Sequence, residues 1–155
     1  MNRQRRKALK SGGGLGLFAV FVAAGLIKPE IAQAAWEKKV FDARTLEEAY
    51  GAIGAGAPAT SKDIGITAPD IAENGAVVPV SVVSRLPKTE QIYILIEKNP
   101  SMVAAAFTIQ EGTEPEVTTR VKMGQTSNLQ IMVKADGKYY FATKEVKVTM
   151  GGCGG

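Results

Sequence analysis

The sequence predicts an all-β domain, and three observations carry that prediction. Apolar residues alternate with a period of two through most of the stretch from Asp63 to Met150, the spacing that turns one side of a strand toward a core. Asn74-Gly75 and Asp136-Gly137 fall between such runs as turn signals. Only one segment, Asp42 to Ile53, repeats at the helical spacing instead. Seven or so short strands at this spacing point to an immunoglobulin-like β-sandwich, with a small barrel as the alternative.

Residues 1–34 come first and read as a removable export signal. Arg5-Arg6-Lys7-Ala8-Leu9-Lys10 precedes an apolar stretch from Leu15 to Ile27, and Ala32-Gln33-Ala34 supplies small residues at a cleavage position before Ala35. The apolar run is too short and too rich in glycine to span a bilayer, so no stable membrane insertion is expected after cleavage. The paired arginines resemble a twin-arginine signal, with Gln4 and Ala8 standing where that pattern prefers serine and phenylalanine; the general secretory route stays open. Six of the 19 basic residues and one of the 15 acidic ones lie before Ala35, so the remainder carries 13 basic and 14 acidic residues. No basic patch is left for nucleic acid.

Residues 35–150 are long enough for one domain with its own core. Thr45-x-x-Glu48 has the form of a capping box, and Leu46, Ala49, Tyr50 and Ile53 share one helical face. Glu47 and Glu48 suit a first turn better than acid–base chemistry. Gly51, Gly54, Gly56 and Pro58 end the helix, and without a preceding strand or a Lys-Ser/Thr ending they do not form a phosphate loop. Ile64 and Ile66 then begin the strands, followed by Val78, Val80 and Val82, where Pro79 implies an edge position or a bulge. Ile92, Ile94 and Ile96 back onto Tyr93 and Leu95, so that strand is expected to be buried on both sides. Ala104 to Ile109, Val117 to Met123, Leu129 to Val133, Lys138 to Ala142 and Val146 to Met150 complete the set. Arg120, Lys144 and Lys147 read as solvated strand positions, and Glu111 to Glu116 as a solvated turn.

The chain then ends in Gly151-Gly152-Cys153-Gly154-Gly155, with its single cysteine between two pairs of glycines. An unpaired cysteine is normally a small buried hydrophobe. Here the expected sheet holds the chain until Met150 and releases it at Gly151, so residues 151–155 read as a flexible arm that presents a thiol. In an exported protein an odd cysteine means a reactive thiol or a link between chains. The sequence contains no histidine and no second cysteine. No Cys-His pair, redox Cys-x-x-Cys or usual transition-metal site can be built from it, so no cofactor and no metal are expected, and no catalytic residue is assigned. A carried group must reach several sites in turn, and a thiol on a short arm suits that role.

The pentapeptide after Val146-Lys147-Val148-Thr149-Met150 closely resembles that of the SoxY family, the sulfur-carrier subunits of bacterial thiosulfate oxidation. Residues 71–80 (IAENGAVVPV), 97–100 (EKNP) and 119–128 (TRVKMGQTSN) resemble the same family, so the likeness spans the mature chain. The resemblance implies a periplasmic carrier, without catalytic machinery of its own, that holds thiosulfate-derived sulfur covalently on Cys153. It also implies a heterodimer with a SoxZ-like β-sandwich subunit and visits to three enzymes: a haem enzyme, a sulfate-releasing hydrolase and a sulfane-oxidising enzyme. Two rival readings are a ubiquitin-like carrier activated at the carboxylate of Gly155 and an exported binding or structural module whose cysteine only forms dimers.

Overall fold

The structure is a computed structural model in which residues 38–149 are described. The expected boundaries after residues 34 and 150, the export signal, Cys153, and Gly151, Gly152, Gly154 and Gly155 lie outside the described residues.

The helix expected over Asp42 to Ile53 starts later, at Leu46, and a separate helical stretch that the periodicity did not announce precedes it. Residues 38–42 are helical, the chain breaks at 43–45, and α1 (Leu46–Ile53) follows. Thr45 causes the break: its backbone is extended, and its hydroxyl accepts a hydrogen bond from the Glu48 amide at 3.1 Å. The Glu48 carboxylate reaches back to the Arg44 amide at 2.9 Å, one residue earlier than in a capping box. Gly54, at φ +80°, closes the other end by donating its amide to the Tyr50 carbonyl at 2.9 Å.

Nine strands follow: β1 (Ala59–Thr60), β2 (Ile64–Thr67), β3 (Ile71–Ala72), β4 (Val78–Ser84), β5 (Thr89–Ile96), β6 (Val103–Thr108), β7 (Glu116–Val121), β8 (Ser127–Ala135) and β9 (Lys138–Val148). The larger sheet runs β9-β8-β5-β6 with antiparallel neighbours. Its β9 edge is completed by β1, parallel at Tyr140 and Phe141, and by β3, parallel at Lys147 and Val148. The smaller sheet is β2-β4-β7, antiparallel throughout. The domain is thus all-β, an immunoglobulin-like sandwich of two sheets with a short helix.

The larger sheet is buried on both faces. Val78, Val80 and Val82 of the small sheet pack with Ile92, Ile94, Ile96, Leu129, Ile131 and Val133 of the large one to form the inter-sheet core. On the opposite face Tyr93, Leu95 and Met132 pack with Val40, Ala49 and Ile53. The two-sided strand read from residues 92–96 is β5. Each large aliphatic side chain sealed in this way contributes about 1.5–3 kcal/mol of burial free energy. Among the described residues buried side-chain polar atoms are satisfied: Gln130 sits under the helix and accepts from the Tyr50 hydroxyl at 3.0 Å. Burial pushes the Tyr93 phenol up, with the neighbouring Tyr139 adding to the shift, so it stays neutral.

Three strand expectations need correction. Lys138–Ala142 and Val146–Met150 are not separate strands; β9 runs unbroken from Lys138 to Val148, and Met150 lies outside the described residues. The expected strands did not include β1 and β3, which are two residues each. Pro79 lies in β4, the middle strand of its sheet. It is tolerated because β2 ends at Thr67, opposite Ser81, and goes no further. The Ser84 amide points toward Pro115 on the β7 side and the Arg85 amide toward Asp63 on the β2 side, so alternation turns the Pro79 nitrogen to the side where β2 has already ended. Among the described residues no helix is long and apolar enough to cross a membrane.

Candidate functional site

The end of β9 is where the chain heads toward Cys153, and it is bonded on both sides. The Lys147 amide donates to the Asp70 carbonyl at 2.9 Å and the Thr149 amide to the Ala72 carbonyl at 3.1 Å, which is the β3 side. Across the strand the Val148 amide donates to the Thr126 hydroxyl at 2.9 Å, while on the β3 side the Thr149 hydroxyl adds a bond to the Glu73 carbonyl at 3.2 Å. Cys153 is the fourth residue after Thr149.

The three internal segments singled out in the sequence meet at this same end. Residues 71–80 join 119–128 where the Met123 amide donates to the Gly75 carbonyl at 2.7 Å. Residues 97–100 join 119–128 through Asn99, whose side-chain amide donates to the Lys122 carbonyl at 2.7 Å and whose side-chain oxygen accepts from the Gly124 amide at 3.1 Å. The Lys98 amide donates to the Ser127 hydroxyl at 3.1 Å, and Asn128 donates to the Glu97 carboxylate at 3.0 Å. Segments far apart in sequence are therefore stitched into one rim around the root of the tail.

Asp70, Asn99, Thr126 and Ser127 do this work, and sequence reasoning gave none of them a place at the tail. Single polar residues between strands carry no period. The only available signal was that Asn99, Thr126 and Ser127 fall inside the segments that resembled a family.

The lysines near the tail have structural roles or are solvated. Lys144 donates to the Ala68 carbonyl at 2.6 Å and pairs with Asp70 at 3.0 Å, which ties β9 to the loop before β3. Lys147 is exposed beside Ile71. Arg120 is exposed opposite Pro79 and has no ion pair among the described residues, and residues 111–114 form an exposed turn. Among the described residues no group of His, Cys, Asp or Glu is placed to hold a metal ion. The rim can position a chain end.

Comparison with known proteins assigns the chain. The family model for sulfur oxidation protein SoxY matches residues 50–153, from α1 through Cys153. Among solved structures, the sulfur carrier protein SoxY from Chlorobium limicola f. thiosulfatophilum is 42% identical with a TM-score of 0.60, and the match covers 68% of this chain and 97% of that one. A superoxide reductase (neelaredoxin) from Ignicoccus hospitalis, at 22% identity and a TM-score of 0.50 over 63% of this chain and 86% of that one, shares the fold alone. A comparison with curated proteins finds no match. A family match over most of the sandwich and into the cysteine tail, together with a carrier structure at 42% identity, establishes that this chain belongs to the SoxY family of sulfur-oxidation proteins.

Proposed function

We propose that this chain carries thiosulfate-derived sulfur covalently on Cys153 in the periplasm, with Gly151, Gly152, Gly154 and Gly155 as the arm that presents it. The observation that carries the reading is the family match, which runs through Cys153, only four residues beyond the fixed end of β9. Export by the twin-arginine route follows from the reading of residues 1–34.

Loading joins the thiol sulfur to the sulfane sulfur of thiosulfate. It releases one proton and two electrons, leaving a thiosulfonate on Cys153. A haem enzyme is suited to take the electrons, a hydrolase to release sulfate with one water, and a third enzyme to oxidise the remaining sulfane sulfur. The carrier supplies none of this chemistry. A free cysteine has a pKa of about 8.5, so only a few per cent is thiolate near neutrality, and a chain without histidine has no imidazole to lower it. A SoxZ-like β-sandwich subunit is the proposed stable partner.

Cys153→Ser tests the assignment in a loading assay with thiosulfate and the haem enzyme. The expected result is complete loss of the adduct at an unchanged unfolding midpoint, since a tail residue contributes within about 0.5 kcal/mol. Adduct formation on the serine variant would overturn the assignment, and a disulfide dimer as the only cysteine-dependent product would favour a linking role.

A further inference from the structure

We infer that Ile71 and Val77 form an apolar collar on which the enzymes that receive Cys153 dock, so that one surface serves every enzyme that the carrier visits. The inference rests on the covalent-carrier reading above and adds to it the surface that partners touch.

Reach carries the argument. Even a fully extended chain covers no more than about 3.6 Å per residue, so Cys153 cannot stand more than about 14 Å from Thr149. An enzyme that takes the thiol into a channel must therefore press its channel mouth against the end of the sandwich that holds Thr149. The surface there is not arbitrary. Thr149 is bonded to the carbonyls of Ala72 and Glu73; Ile71 immediately precedes those two residues, and Val77 closes the turn that follows them, its amide donating to the Asn74 carbonyl at 3.4 Å. They are 58% and 52% exposed, two of the three large hydrophobic residues left exposed among those described.

The backbone between them is held. Ile71 pairs with Lys147, Gly75 accepts from the Met123 amide, and the Asn74 side chain accepts from the Ala76 amide at 2.9 Å. Two β-branched side chains on a fixed backbone lose little conformational freedom when a partner covers them. The third exposed hydrophobic, Phe41, is 37% exposed and bounds a groove with Ala106 and Phe107 at the β6 edge, the far edge of the large sheet from β3. The occupant that fits the collar is an enzyme whose channel mouth is ringed by apolar side chains, with any lysine or carboxylate set outside the ring to meet Lys147 and Glu73.

The test measures steady-state kinetics with the full carrier as substrate, once for the haem enzyme and once for the sulfate-releasing hydrolase. Ile71→Ser and Val77→Ser should each raise the KM for the carrier about tenfold with both enzymes and leave kcat unchanged. Alkylation of Cys153 by iodoacetamide should proceed at the wild-type rate, which separates docking from thiol reactivity. Ile71→Leu should keep the wild-type KM, and Phe41→Ser should behave as wild type. Unchanged KM values for both serine variants, or an equal rise from Phe41→Ser, would overturn the collar while leaving the carrier reading intact. Failure of the wild-type protein to load would remove the carrier reading itself, and the collar with it.

Discussion

The two ends of β9 are held in different ways, and the difference separates closing a strand from anchoring a chain that continues. At the hairpin end Asp136 and Gly137 take positive φ values of 49° and 72°, so the turn closes through local conformation. Ion pairs decorate it: Lys88 with Asp136 at 3.0 Å, both well exposed, and Lys134 with Glu90 at 2.8 Å. Exposed pairs of this kind contribute about 0–1 kcal/mol. At the tail end the bonds run from short polar side chains to backbone groups distant in sequence, through Asn99, Thr126, Ser127 and Thr149. A strand whose chain continues past the sheet has no turn to hold it, so its end depends on these non-local bonds.

Asn99→Ala should break this contrast most severely. It removes a donor to Lys122 and an acceptor for Gly124 together, at a cost of about 1–2 kcal/mol. Denaturant unfolding should show that loss, and hydrogen exchange at the Gly124 amide should accelerate. A change under about 0.3 kcal/mol would mean that water replaces Asn99 at no cost and that the rim is not an anchor.

The hairpin end should instead respond to acid. The hydrogen bond from Lys134, then that from the Gly137 amide, holds the Glu90 carboxyl below its ordinary 4.5. The charged form is the one the fold favours, so its support is in place above pH 4.5 and is lost as pH falls through the lowered value. The partner Lys134 is raised by the same bond, so its support is present below 10.5 and fades only as pH climbs past the raised value. An amide-shift titration should show an acid transition at Gly137, absent at Gly124 and abolished by Glu90→Gln. A matching transition at Gly124 would show that the two ends are coupled. Lys88→Ala should have the smallest effect, within about 0.5 kcal/mol by thermal unfolding, and a larger loss would mean that the exposed pair is part of the turn.

Much of the scaffold was legible in the sequence because period and turn chemistry are local. The alternation of Ile92 with Tyr93 and Leu95 announced a strand sealed on both faces, Asp136-Gly137 announced its turn, and Thr45 announced the start of α1. β1 and β3 stayed hidden because two residues cannot display a period, and both owe their existence to pairing with β9. The run Thr143 to Glu145 has no apolar residue, so β9 read as two strands although its backbone ladder with β8 continues through it. Pro79 implied an edge or a bulge but lies in the middle strand β4, because the length of β2, far from it in sequence, decides where its nitrogen faces no partner. Cys153 stood out by its glycine neighbours, whereas the bonds that hold β9 four residues before it arise only from folding.

Whether sulfur rides on Cys153 can be read by intact-mass analysis and peptide mapping of the protein isolated from thiosulfate-oxidising cells. The expected result is a family of sulfur adducts confined to the C-terminal peptide, removed by thiol reductant and absent from Cys153→Ser. An unmodified Cys153 throughout turnover, or sulfur on the carboxylate of Gly155 instead, would contradict it.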